Sequence, residues 1–107
     1  MGWSLVFATA EARKELDALS SDMRASFQRI VQLIQIVGLE RVHQPHIKHL
    51  EGPLWEMRLR GRDGIARAIY MTATGQRVMI LRVFVKKCQK TPRSEIQLAL
   101  KRAKESS

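Results

Sequence analysis

At 107 residues and 45% hydrophobic composition, the chain has the material for one compact domain spanning 1–107 and too little for two. Its net charge of +9 is lopsided, because residues 58–107 carry thirteen Lys or Arg against three Asp or Glu while 1–57 carry six against seven. A field of that sign argues against cationic partners and for a polyanion, since each Lys or Arg that meets a phosphate also releases condensed counterions.

The uncharged stretches 30–39 and 78–81 are too short to cross a bilayer, so no membrane association is expected. Met1-Gly2-Trp3 is not followed by the basic, apolar and small-residue pattern of a signal peptide. The single Cys88 has no partner for a disulfide and no Cys or His at ligand spacing, and the expectation is a reduced, cytoplasmic protein.

Trp3, Leu5 and Phe7 alternate with smaller residues and predict a short strand. Thr9 then caps a helix over 10–19, with Ala12, Leu16 and Leu19 on its apolar stripe. Ser20 or Ser21 caps a second helix, in which Met23, Phe27, Ile30, Val31, Ile34 and Val37 recur every three or four residues until Gly38 stops it. The two form a helical hairpin whose mixed charges suggest a solvated face without chemistry.

Residues 39–53 lack a sustained period, contain Pro45, Gly52 and Pro53, and are expected to be a connecting loop. Three runs of period two follow at 54–60, 65–72 and 77–85, separated by Gly61-Arg62-Asp63-Gly64 and Ala73-Thr74-Gly75-Gln76, as in a meander. Thr91 as N-cap and Pro92 at the first helical position open a last helix with Ile96, Ala99, Leu100 and Ala103 on one face. The class is α+β: an N-terminal strand and two-helix hairpin packed on an antiparallel meander sheet, with a C-terminal helix.

If both connections close regular pairs, Arg60 faces Ile65 and Thr72 faces Arg77. Parity then sends Trp55, Met57, Leu59, Ala66, Ala68, Tyr70, Met79, Leu81, Val83 and Val85 to the core face. The opposite face aligns Arg58, Arg67 and Arg82 across three strands, with Arg60 in the next row. Like charges directly opposite in a sheet cost up to ~1 kcal/mol, so selection for stability alone would avoid this row. Guanidinium forks match phosphate oxygens, and the row is a candidate phosphate site that a bulge in either hairpin would break. Lys86, Lys87, Lys90 and Arg93 extend it, with Thr91 and the helix N-terminus offering further donors.

His43, His46 and His49 recur every three residues in the predicted loop, and His46 and His49 are candidate acid–base residues. A metal site is not expected, since no Cys, Asp or Glu completes a ligand set and Pro45 breaks a continuous helix.

The segment Leu54-Trp55-Glu56-Met57-Arg58, then Arg67 and Tyr70, then Phe84-Val85-Lys86-Lys87 through Lys90-Thr91-Pro92 to Glu95-Ile96, resembles the RelE/HigB superfamily of bacterial toxins, especially its phage-derived branch. That resemblance implies a RelE-like fold and the toxin of a type II toxin–antitoxin pair, a ribosome-dependent endoribonuclease that cuts mRNA without a metal or other cofactor. It implies a helix-turn-helix, HigA-like antitoxin as partner, and operator DNA bound through the complex. Carried over by position, it places Arg67 and Arg58 at the scissile phosphate and Lys86, Lys87 and Lys90 where the family has further basic residues, Lys87 and Lys90 being taken as catalytic; the arginine row and the helix start add Arg60, Arg82, Thr91 and Arg93, with Lys86, along the RNA. The chain departs from several members in having no His or Tyr after Tyr70, and Tyr70 falls on the core face. A non-catalytic basic module that grips nucleic acid, or a remnant that only binds an antitoxin, is the competing reading.

Overall fold

A computed structural model of the chain describes residues 2–43, 45–62, 64–87 and 89–106. The readings that fall on Met1, Asp63 and Cys88 lie outside the described residues. Strand β1 (Ser4–Phe7) leads into α1 (Ala10–Asp17) and α2 (Ser21–Val37); β2 (Ile47–Glu51), β3 (Leu54–Gly61), β4 (Gly64–Ala73), β5 (Arg77–Val85) and α3 (Arg93–Glu105) follow. The sheet has five strands in the order β1-β5-β4-β3-β2, with β1 parallel to β5 and the other pairs antiparallel. No helix among the described residues is long and apolar enough to cross a membrane.

The helix starts follow from their caps. Thr9 Oγ1 accepts from the Ala12 N–H at 3.1 Å, and Ser20 Oγ accepts from Met23 at 3.3 Å, each satisfying a donor that the first turn leaves without an intrahelical acceptor. Gly38 ends α2 at φ 90°, where a side chain would be strained and would meet the Glu40 carboxylate.

The sheet is covered on both faces. Leu16, Leu19, Met23, Phe27, Ile30 and Ile34 of the hairpin pack on Met57, Leu59, Ala66, Ala68, Tyr70, Val78, Ile80 and Val83. On the other face Ile96 and Ala99 of α3 pack on Leu54, Ile69, Leu81 and Phe84. Truncating a fully buried residue here, such as Leu59 or Ile80, costs about 2–5 kcal/mol in lost transfer energy and cavity.

Three expectations are corrected. Residues 47–51 of the expected loop form the edge strand β2: Ile47, Lys48 and His49 pair with Met57, Glu56 and Trp55, and a register shift before Glu51 broke the period that would have revealed them. Arg60 does face Ile65, but the β4–β5 hairpin closes on Ala73 opposite Arg77, and a further shift between Ile69 and Tyr70 leaves Leu81 unpaired. The tighter closure places Val78 and Ile80 on the hairpin side; the bulge then turns Leu81 toward α3 and returns Val83 to the hairpin side, while Val85 is exposed. Finally, α3 is capped by Pro92 without a side-chain bond, and the Thr91 hydroxyl is used elsewhere.

Candidate nucleic-acid interface

The tighter hairpin closure and the bulge together dissolve the three-arginine row. Arg58 stands opposite Arg67, but Arg67 stands opposite Phe84, and Arg82 lies one row away opposite Ile69. Each of the two displaced partners has found a carboxylate, which removes the like-charge cost that the regular register would impose.

Arg67 is 3% exposed and Glu56 0%. Arg67 Nη1 lies 2.7 Å from Glu56 Oε2 and donates to Thr91 Oγ1 at 2.6 Å, while Nη2 donates to the Gln89 carbonyl at 2.8 Å. The Thr91 hydroxyl donates in turn to Glu56 Oε1 at 2.7 Å, closing a ring of two charges and one hydroxyl; Arg67 Nε is buried with no hydrogen-bond partner among the described residues. Glu56 falls on the same strand face as Arg58, one row from Arg67, so parity places the acid and the base diagonally adjacent. Sequence reasoning passed over Glu56 for want of any sign that the face was buried.

This ring anchors segment 86–92 from below. The segment leaves β5 with the Lys86 N–H donating to the Ile65 carbonyl at 2.7 Å, passes over β4 and β3 at Gln89 and Thr91, and reaches β2 where Arg93 donates to Glu51 at 2.5 Å. A stretch carrying Lys86, Lys87, Lys90 and Arg93 repels itself, and the buried Glu56 and the rim Glu51 offset that repulsion at two fixed points. Lys87 and Lys90 stay exposed and Lys86 half-buried. Arg60 is exposed opposite Ile65, the residue that Lys86 holds, and half-buried Arg58 is its neighbour on the same face. Topology therefore gathers Arg58, Arg60, Lys86, Lys87 and Lys90 at the end of the sheet face away from α3.

Arg82 belongs to a second network. Its Nη1 lies 2.6 Å from Glu15 Oε2 and its Nε donates to Glu95 Oε1 at 2.6 Å, while Arg102 binds Glu15 through both nitrogens at 2.9 Å and caps the carbonyl of the bulged Leu81 at 2.9 Å. The Glu95 hydrogen bond, with Glu15 beside it, pushes the Arg82 guanidinium above its ordinary value. Burial alone would raise the Glu15 carboxyl, but Arg102, the Val83 N–H and Arg82 outweigh it and hold the group below its ordinary value. Arg82 thus ties α1, β5 and α3 together.

The histidines separate. His46 is exposed in the turn before β2, and its carbonyl accepts from the Arg58 N–H at 2.8 Å, which puts it beside the basic cluster. His49 pairs with Trp55, its ring edge-on to the indole at 4.9 Å, and its Nε2 donates to the Gly52 carbonyl at 2.9 Å. Strand parity sets it on the face opposite Arg58. Tyr70 is 1% exposed, and burial pushes its phenol well above the ordinary value, so it stays protonated at neutral pH. Among the described residues no group of three or more His, Cys, Asp or Glu is placed to hold a metal ion.

The model of the family described as phage derived protein Gp49-like (DUF891) matches residues 14–104. Among solved structures, the chain is similar to one from the archaeal RelE–RelB complex of Pyrococcus horikoshii OT3, at a TM-score of 0.62 and 18% identity, covering 83% of this chain and 100% of that one. No curated protein sequence matches at a significant level. With the family match running from the second half of α1 through β2–β5 and almost to the end of α3, and the same fold recurring in the archaeal RelE–RelB structure, the chain belongs to the phage-derived Gp49-like family, a RelE/HigB-like family, and has a RelE-like fold.

Proposed function

We propose that the protein is the toxin of a type II toxin–antitoxin pair and acts in the cytoplasm as a ribosome-dependent endoribonuclease on mRNA. The observation that carries the reading is the buried Glu56–Arg67–Thr91 ring, which holds a lysine-rich segment across an otherwise covered sheet face. A stretch tied down by a buried ion pair, yet carrying exposed Lys87 and Lys90, is costly as mere surface and apt as an anion cradle.

In the proposed reaction the ribose 2′-OH attacks the adjacent phosphorus. The 2′-O–P bond forms, the P–O5′ bond breaks, a base takes the 2′ proton and an acid supplies one to O5′. A 2′,3′-cyclic phosphate and a 5′-OH result. Arg58 and Arg60 with Lys86, Lys87 and Lys90 neutralise the phosphorane, and one exposed lysine protonates the leaving oxygen. His46, beside Arg58, is the histidine placed for proton transfer, and His49 is not. Arg67 is a positioning residue: its guanidinium is spent on Glu56, Thr91 and Gln89 and acts by fixing the lysines. Arg82 serves the fold, and Arg93 reaches RNA only by exchanging Glu51 for phosphate.

The similarity to a RelE–RelB complex supports an antitoxin partner for this chain; we assign it the helix-turn-helix, HigA-like type, with operator DNA bound through the complex. The test is induced expression in a bacterial host, with growth followed and cleavage mapped on a translated and an untranslated copy of one mRNA. Arrest with cuts confined to the translated copy is expected. Absence of both arrest and cleavage would defeat the reading.

A further inference from the structure

Past Asp22 in its first turn, α2 carries Arg24 and Arg29 and no further charged residue, so the acid of the mixed-charge hairpin face is confined to the start of this helix. Its exposed positions include Gln28, Arg29, Gln32, Gln35 and Ile36, the last 80% exposed. Past Asp22 at its start, this helix face presents arginine and glutamine, which suits a partner that is anionic and rich in hydrogen-bond acceptors.

An open groove of about 450 Å³ separates this face from β3, with Arg29, Gln32, Ile36, His46, Arg58 and Arg60 in its lining and, among the described residues, no Asp or Glu. It exists because β2 begins at Ile47 opposite Met57, leaving residues 58–61 of β3 paired with β4 on one side and with no strand on the other. The exposed edge is already satisfied: the Arg58 N–H donates to the His46 carbonyl at 2.8 Å and the Arg60 N–H to Ser26 Oγ at 3.1 Å. An added strand would find those donors taken, so the groove recognises its occupant through side chains.

Arg58 and Arg60 belong to this groove and also to the sheet face under segment 86–92. The basic surface is therefore continuous around the edge of β3. We propose that the groove is a second RNA-backbone subsite, in which Arg29 and Arg60 hold phosphates of the strand flanking the cleaved one and Ile36 offers apolar surface to a ribose or base. The inference rests on the function proposed above and extends its site onto α2. An acidic segment of a protein partner would also answer the arginines, but continuity with the lysine segment through Arg58 and Arg60 favours the nucleic-acid strand.

The test is fluorescence anisotropy with oligouridylates of three and twelve nucleotides between 50 and 200 mM salt, roughly the range over which phosphate contacts change affinity steeply. Arg29→Gln should weaken the 12-mer about 3- to 10-fold and lower its log–log salt slope by about 0.7, the share of one single-strand phosphate, leaving the 3-mer unchanged. Arg29→Lys should recover most of the loss. Arg29 is exposed, so an unchanged unfolding midpoint checks that the fold is intact. Equal binding of both lengths by wild type and Arg29→Gln overturns the proposal, as does a loss equal for both lengths. A variant that binds RNA normally and the antitoxin poorly would identify a protein dock instead. Failure of the wild type to bind either oligonucleotide removes the subsite and leaves mRNA cleavage to the expression test.

Discussion

Glu56 and Arg67 meet at 2.7 Å on neighbouring strands, with side chains 0% and 4% exposed, directly beneath the segment that carries Lys86, Lys87 and Lys90. Removing one partner strands the other charge in the interior, at a cost of about 3–5 kcal/mol. Glu56→Ala and Arg67→Ala should each lose about that much in urea unfolding, while the double change Glu56→Leu with Arg67→Met should lose markedly less than the singles combined. Additive losses would show that the two side chains are not coupled.

Thr91 offers a milder test of the same ring. Thr91→Val keeps the shape and removes the hydroxyl that Arg67 and Glu56 share, leaving a buried donor and acceptor each short of a partner. The expected cost is about 1–3 kcal/mol, with Thr91→Ser close to wild type. Hydrogen exchange should also quicken at residues 86–92 in the valine variant. Unaltered exchange there would mean that the segment is held by something other than the ring.

Lys87 and Arg58 separate chemistry from scaffold. Lys87 is exposed, so Lys87→Ala should leave the unfolding midpoint in place and lower mRNA cleavage by roughly 10²–10³, as for loss of one donor to a developing anion. Arg58→Ala should lower cleavage similarly with a small stability cost. Full activity in Lys87→Ala, measured on ribosome-bound mRNA, would assign the leaving-group role to the other exposed lysine, Lys90.

Acid should loosen the contact between α1 and α3. The folded Glu15 carboxyl lies below its ordinary value of 4.5, so its stabilising contribution is complete above that pH and is lost as pH falls through the depressed folded value. The unfolding midpoint should therefore decline below about pH 4.5, and Glu15→Gln should flatten that part of the profile. A Glu15→Gln profile parallel to wild type would assign the acid sensitivity to other carboxylates.

Much of the architecture was legible in the sequence because it rests on local rules. Thr9, Ser20 and Gly38 bound the first two helices through backbone groups a few residues away, and Ile96, Ala99 and Leu100 mark the apolar face of α3 by spacing alone. The pairing of Arg60 with Ile65 follows from a short connection, and the concentration of basic residues after Arg58 needs no structure at all. Edge strand β2 was hidden by the shift before Glu51, because a short strand with one irregularity has no period left to detect.

The sequence by itself determined the α+β class, the order of the helices and the meander, and the basic character of the second half. Only the tertiary structure decided what the arginines do. Hairpin closure on Ala73 and a bulge at Leu81 together move Arg82 one row, α3 covers a face that parity leaves open, and a glutamate that sequence reasoning passed over is the buried partner of Arg67. Those outcomes depend on which chain segments come to lie over the sheet, and no residue's own neighbours in sequence carry that information.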